Sequence, residues 1–168
     1  MDRSVAPLFF MASMLTFLAG GCTSKDTLYV ACSPHEVRTL LQEPDMAIYW
    51  LSPRFEEVTW DSSTQMLSYV MPLPGGPIPQ QFSLQTETDT THVIWRSGTG
   101  SALPMQQIWT IQPEQAGSRV SLTFSLQQDN PLLALPLMRT LREMRQEMLA
   151  RLKSAAEERC SRETSVPQ

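Results

Sequence analysis

The chain has 168 residues, a net charge of −4 and only 18% charged residues. There is no basic excess of the kind that binds nucleic acid or draws a protein onto anionic lipid. Thirteen prolines against seven glycines point to many short elements divided by stiff loops, and ten methionines are many for this length.

Residues 1–21 read as a signal peptide. A short polar start, Met1 to Ser4, precedes an uncharged run from Val5 to Ala19 and then small residues before Cys22. The run is shorter than the roughly 20 apolar residues of a membrane-spanning helix and has weak charged flanks. Leu18-Ala19-Gly20-Gly21-Cys22 resembles a bacterial lipobox, whose cysteine receives a lipid. It departs from the pattern in placing Ala19 where a large apolar residue is usual, with Leu18 one position early. An ordinary cleaved signal and an uncleaved anchor are the alternatives. Resemblance to lipoproteins of two-membrane bacteria implies an outer-membrane address on the periplasmic face, because Thr23 is not the acidic retention cue. Several acyl chains would hold such a protein firmly on its membrane. The mature chain, residues 22–168, is the size of one domain.

Lipidation of Cys22 would leave Cys32 and Cys160, which an oxidising compartment would allow to pair. Two unpaired thiols, with Cys160 in a frayed tail, are the alternative. No CxxC is present and His35 and His92 are the only histidines, so neither a metal site nor a cofactor is expected.

Leu28 to Ala31 is β-prone and reads as a first strand. Ser33-Pro34-His35-Glu36 is a capping box with proline at the first helical position, so a helix is expected to about Gln42, with Val37, Leu40 and Leu41 on its apolar face. Asp45 is expected to cap a second short helix, Met46 to Leu51, ended by Pro53. The period then becomes two. Strands are expected over Arg54–Trp60, Gln65–Met71, Gln81–Glu87, Thr91–Ser97, Met105–Gln112 and Arg119–Gln127. Turns fall at Asp61–Thr64, Thr88–Thr90 and Glu114–Ser118, and Gly98–Leu103 is a loop. Pro72 to Pro79 is expected to be irregular, since four of its eight residues lack a backbone donor. In the strand at Met105 the register is ambiguous, because Ile108 and Trp109 face opposite ways.

The C-terminal element is helical. Asn130-Pro131 opens a turn or first helical stretch, and Pro136 is expected to start the main helix, which runs to about Arg159. Leu137, Leu141, Met144, Met148 and Leu152 form one apolar stripe, with Arg139, Arg142, Glu143, Arg145, Gln146 and Glu147 on the other sides. A single antiparallel sheet with one apolar face needs a cover, and this helix is the only element long enough.

Catalytic constellations are scarce. His35, in a first helical turn, and His92, opposite in parity to Val93 and Trp95, read as solvent-facing. Adjacent Glu56 and Glu57 on a strand would point to opposite faces and make no acid/base pair. No nucleophile elbow or phosphate loop is visible.

The order of elements resembles the START-like, or helix-grip, superfamily, which contains polyketide cyclase/dehydrase-like proteins. The residues that carry the likeness are the Ser33-Pro34 helix entry after a first strand and the stretch Trp109-Thr-Ile111-Gln-Pro113 to Gly117-Ser-Arg119-Val120, followed by the long terminal helix. It spans about residues 26–160. The resemblance implies an α+β fold in which a curved seven-stranded antiparallel sheet grips the helix around an apolar cavity. It also implies a hydrophobic small molecule or lipid as ligand. No catalytic residue carries over, because none is shared across the superfamily. An enzyme of the cyclase/dehydratase type, or a structural envelope lipoprotein with a collapsed interior, are the other readings. The expected pocket lining is Tyr69, Phe82, Trp95, Trp109, Phe124, Leu141, Met144 and Met148. In that fold the short helices support the end of the long helix, which would place Cys160 near Cys32. The partners expected are that hydrophobic molecule and, through Cys22, the membrane; the sequence does not tell which proteins it meets.

Overall fold

A computed structural model describes residues 26–52, 55–73, 75–86, 91–98, 101–126 and 131–164. The signal segment with Cys22, the Thr88–Thr90 turn, Arg54 and Asn130 lie outside the described residues.

The elements are β1 (Asp26–Val30), α1 (Pro34–Gln42), α2 (Pro44–Leu51), β2 (Glu56–Asp61), β3 (Met66–Leu73), β4 (Gly76–Thr86), β5 (His92–Ser97), β6 (Met105–Glu114), β7 (Gly117–Leu126) and α3 (Pro131–Thr164). The strands form one seven-stranded sheet in the order β1-β7-β6-β5-β4-β3-β2, and every pairing is antiparallel. Successive hairpins account for all of it except β1, which joins the far edge beside β7. α3 packs on β1 and β7 and on both short helices, α1 lies over the central strands, and α2 lies against β2. This is the expected architecture of a sheet gripping a C-terminal helix.

Local sequence explains the elements. Ser33 Oγ accepts the Glu36 N–H at 3.3 Å, and Pro34 opens α1. In α2 the first-turn proline is Pro44, and the cap is Glu43, whose side chain makes no capping bond. Asp45 therefore sits inside the first turn, where its charge faces the positive helix end, instead of capping. At the β2 end Asp61 bonds the Ser63 N–H (2.9 Å) and the Ser63 and Thr64 hydroxyls (2.7 and 2.8 Å). These bonds hold its carboxyl down at about 2.

Three expectations about the extent and regularity of the elements are corrected. The proline-rich stretch is a hairpin, with Pro72 opposite Pro77 and Val70 opposite Pro79. All three prolines thus occupy pairs of one parity, so a ladder whose bonds alternate need not use their missing donors. Nor do they interrupt the outer neighbours, since β2 pairs only as far as Val70 and β5 begins pairing at Phe82. The tight turn runs through Gly75 and Gly76 at φ +102° and +127°, conformations a glycine adopts without strain. Secondly, α3 begins at Pro131 and continues through Pro136, so it is 34 residues long, about 50 Å at 1.5 Å per residue. A proline there forfeits one intrahelical bond, and the turns on either side sustain the helix. Thirdly, β2 bulges: its register with β3 shifts between Glu56 and Thr59, Glu57 takes φ +53°, and both glutamates are exposed. The alternation expected across this pair is lost to the bulge.

The core is one cluster between sheet and helices. It is built from alternate residues of each strand, such as Leu67, Tyr69 and Met71 on β3 and Val120, Leu122 and Phe124 on β7. Each fully buried large apolar side chain contributes roughly 1.5–3 kcal/mol relative to exposure. The α3 stripe is buried from Leu141 to Leu152, and Leu137 is half-buried. Arg145 belongs to the buried face too, contrary to expectation. Its guanidinium meets Asp26 of β1 at 2.6 Å, so the charge is neutralised where helix and edge strand meet.

Cys32 and Cys160 are disulfide-bonded, with Cα atoms 6.1 Å apart across 128 residues of sequence. Around the bond the helix end is fixed by polar contacts. Arg159 pairs with Glu36 and Glu43, Tyr49 Oη donates to Glu158 at 3.1 Å, and the Ser118 hydroxyl donates to Cys32 O at 2.7 Å. α3 also covers the edge of β1. Lys153 Nζ donates to Tyr29 O at 2.9 Å and the Ala31 N–H donates to Glu157 at 3.0 Å. Burial would raise the Glu157 carboxyl, but the bonds from Lys153 and Ala31 outweigh it and hold it below its ordinary value.

Candidate functional site

The concave side of the sheet is where a helix-grip domain would hold a ligand, and the strand registers decide which residues face it. In β6 the inward residues are Met105, Gln107, Trp109 and Ile111. This settles the β6 ambiguity: Trp109 points in, and Ile108, half-buried, points out. Cross-strand neighbours on the same face are Trp95 and Phe124 beside Gln107, and Val93 and Leu122 beside Trp109.

All eight residues expected to line a pocket are buried in the one core cluster, none more than 8% exposed. Trp50, Trp95 and Trp109 form a triangle with centroids 5.6–5.8 Å apart. Tyr69 stacks on Phe82 at 5.4 Å and meets Phe55 at 4.8 Å. Trp50 and Phe55 were not among the expected residues. Both flank the end of α2, where the apolar run is too short to show which face turns inward.

Methionine is the second component. Met71, Met105, Met144 and Met148 are all buried in this cluster, drawn from β3, β6 and α3. The backbone of α3 rests on β1 and β7 at one edge. α1 lies over the central strands, and these long, unbranched side chains belong to the core between the helices and the sheet. Methionine adapts to irregular surroundings because it has three rotatable bonds and a polarisable sulfur.

Polar groups are the third component. Gln107 is fully buried, and its Nε2 donates to Tyr69 Oη at 2.5 Å. Its Oε1 has no partner, and neither has Trp109 Nε1. The other two tryptophans are satisfied: Trp50 Nε1 donates to Leu40 O (3.3 Å) and Trp95 Nε1 to Leu41 O (3.2 Å), both in α1. Buried Gln80 is satisfied as well, with its amide turned so that nitrogen and oxygen meet Leu103 O and N at 3.0 and 3.2 Å. Burial pushes the Tyr69 hydroxyl far above its ordinary value, against the smaller opposing effect of Gln107, so it stays protonated. It can hold a hydrogen bond but cannot serve as a base.

Acid/base chemistry finds no further support inside. The buried polar residues among those described are Gln80, Gln107, Ser118, Ser121 and Arg145, with no carboxylate or imidazole. His35 is exposed on α1, and half-buried His92 lies on the opposite parity to Val93 and Trp95 with Nδ1 2.9 Å from Thr91 Oγ1. Among the described residues no group of three His, Cys, Asp or Glu could hold a metal ion, and no helix is long and apolar enough to cross a membrane. Surface grooves run beside exposed Tyr49, between α2 and α3, and along the β1 edge by Tyr29 and Arg119.

No family model matches the chain, and no curated protein matches its sequence. Solved structures do match. The KanY protein superposes with a TM-score of 0.69 at 16% identity, over 82% of this chain and 99% of that one. A Thermus thermophilus protein gives 0.60 at 19% identity, over 85% and 99%. A START superfamily protein from Mycobacterium smegmatis gives 0.58 at 13% identity, over 81% and 97%. At such identities the likeness is one of fold, and the fold of this chain is the START-like helix grip.

Proposed function

We propose that this chain is a membrane-anchored lipoprotein whose helix-grip domain takes a hydrophobic small molecule or lipid into its interior. The observation that carries the ligand half is the set of four buried methionines, from β3, β6 and α3, in the one core cluster. Four flexible side chains from three elements can change rotamer together and make room, whereas a core of branched residues resists such change. The anchor half rests on the uncharged run and small residues that lead to Cys22. Thr23, where an acidic residue would be the retention cue, supports an address on the periplasmic face of the outer membrane. Only Thr23, Ser24 and Lys25 separate Cys22 from β1, so the domain would sit within about 14 Å of the lipid surface at the chain's full stretch.

One observation favours a structural envelope protein with a collapsed interior instead, namely that the eight inner residues are all buried, none more than 8% exposed. Native mass spectrometry of the protein extracted from its own membranes separates the two. The ligand reading expects a hydrophobic molecule of defined mass on a fraction of the protein. Persistent absence of any adduct, together with no response to added apolar probes, supports the collapsed interior. The same spectra test the anchor: the mature chain should begin at an acylated Cys22, and a retained residue 1–21 segment or an unmodified Cys22 contradicts it.

A further inference from the structure

Among the described residues the buried side-chain polar atoms without a partner are Arg38 Nε on α1 and two that lie together on one strand. On the inner face of β6, two positions apart and so roughly 7 Å between Cα atoms, Gln107 and Trp109 present polar atoms with no partner. Both residues are fully buried. Leaving such an atom dry costs about 1–3 kcal/mol, and a leucine or methionine at position 107 would avoid that cost. The neighbouring side chains show what a satisfied core looks like here: Trp50, Trp95 and Gln80 all reach backbone partners. Tyr69 Oη adds a third polar atom beside the pair.

We propose, resting on the ligand-binding reading above, that Gln107 and Trp109 with Tyr69 recognise a hydroxyl carried by an otherwise hydrophobic, ring-containing ligand. The chemistry comes from the donor and acceptor inventory. The indole N–H can only donate, so the ligand group must accept from it. Gln107 Oε1 can only accept, so the ligand group must also donate. A hydroxyl does both, whereas an ether or ketone only accepts and a hydrocarbon does neither. Rotating the Gln107 amide would exchange oxygen for nitrogen, and a hydroxyl matches that arrangement as well. Flat rings fit the surroundings, because Trp95, Tyr69, Phe82 and Phe124 lie on the same inner face.

The test uses the mature chain, residues 22–168 with Cys22→Ser so that no detergent is needed; it contains every element and core contact described above. Affinities for 2-naphthol, 2-methoxynaphthalene and naphthalene are measured by tryptophan fluorescence and by the shift in Tm. We expect 2-naphthol to bind at least 10-fold more tightly than naphthalene, with the methoxy compound between them. Gln107→Leu should abolish the preference while naphthalene still binds. Gln107→Met, unbranched and similar in length, gives the same readout should the leucine variant not fold. Equal affinities for the three probes, or a preference that survives both variants, would overturn the hydroxyl assignment and leave the ligand reading standing. No binding of any probe overturns both. A trapped water on the two atoms would instead show as a higher Tm in Gln107→Leu with no change in probe preference, which also overturns the assignment.

Discussion

Trp95 and Trp109 lie on neighbouring strands with ring centroids 5.7 Å apart, equally buried, and yet their surroundings differ in kind. Trp95 is tied to α1 through its bond to Leu41 O, as Trp50 is through Leu40 O. That side of the molecule continues into the Cys32–Cys160 bond and the Arg159 pairs, so helix, strand and short helices are fixed to one another. Trp109 has no such tether, and its face of β6 leads to Gln107, Tyr69 and the buried methionines. One region is cross-linked, and both of its tryptophans reach backbone partners. The other is flexible in its side chains and polar without satisfaction. The contrast teaches where the cross-links lie: the disulfide and the polar contacts around it hold the grip at one end, and the interior around Trp109 lacks such ties.

The largest expected effect breaks the rigid region. Cys32→Ser/Cys160→Ser removes a link closing a loop of 128 residues. We expect a loss of about 2–5 kcal/mol, seen as a fall in Tm on the order of 10 °C. The Cys22→Ser chain should take up no alkyl group under denaturing, non-reducing conditions; uptake of two would show the thiols to be free. Next, Gly117→Ala attacks the hairpin beside β1. An added Cβ would lie 2.4 Å from Val30 O, which is backbone and cannot swing away. A loss of about 1–3 kcal/mol in urea unfolding is expected.

The two tryptophans sharpen the comparison directly. Trp95→Phe and Trp109→Phe remove the same volume from neighbouring sites, but only the first removes a hydrogen bond. Trp95→Phe should cost about 1 kcal/mol more in chemical unfolding. Equal costs would show that the tether to α1 carries no weight. The smallest effect is at Asp61, on the surface. Its folded value of about 2 lies below the ordinary 3.8. The group therefore contributes stability that is fully present above about pH 4 and is lost as pH falls through 2. Asp61→Asn should have a lower Tm than wild type at pH 5, and the gap should close near pH 2.

Much of the fold was legible because its signals are local. The Ser33 capping box, the alternation of Val120, Leu122 and Phe124, and the Leu141–Leu152 stripe each express a period or a cap in one short stretch. Features that depend on pairing were not. Prolines 72, 77 and 79 look incompatible with strands until the register shows them sharing one parity. Arg145 reads as a surface charge until Asp26 is brought to it from 119 residues away. Gln107 was legible in principle, since it shares parity with Met105, Trp109 and Ile111. Ile108 gave the opposite parity an equal claim, and a glutamine among apolar residues reads most simply as a solvent-facing one.

The central claim is that the methionine-lined middle of the grip admits a hydrophobic ligand while the disulfide end stays fixed. The most direct measurement is a two-dimensional spectrum of residues 22–168 carrying Cys22→Ser, labelled at methionine methyl groups and titrated with 2-naphthol. We expect saturable shifts at Met71, Met105, Met144 and Met148, with backbone amides around Cys32 and Cys160 unmoved. Methyl signals that stay in place at saturating probe, or shifts confined to the half-exposed Met46 beside the outer groove, would contradict it.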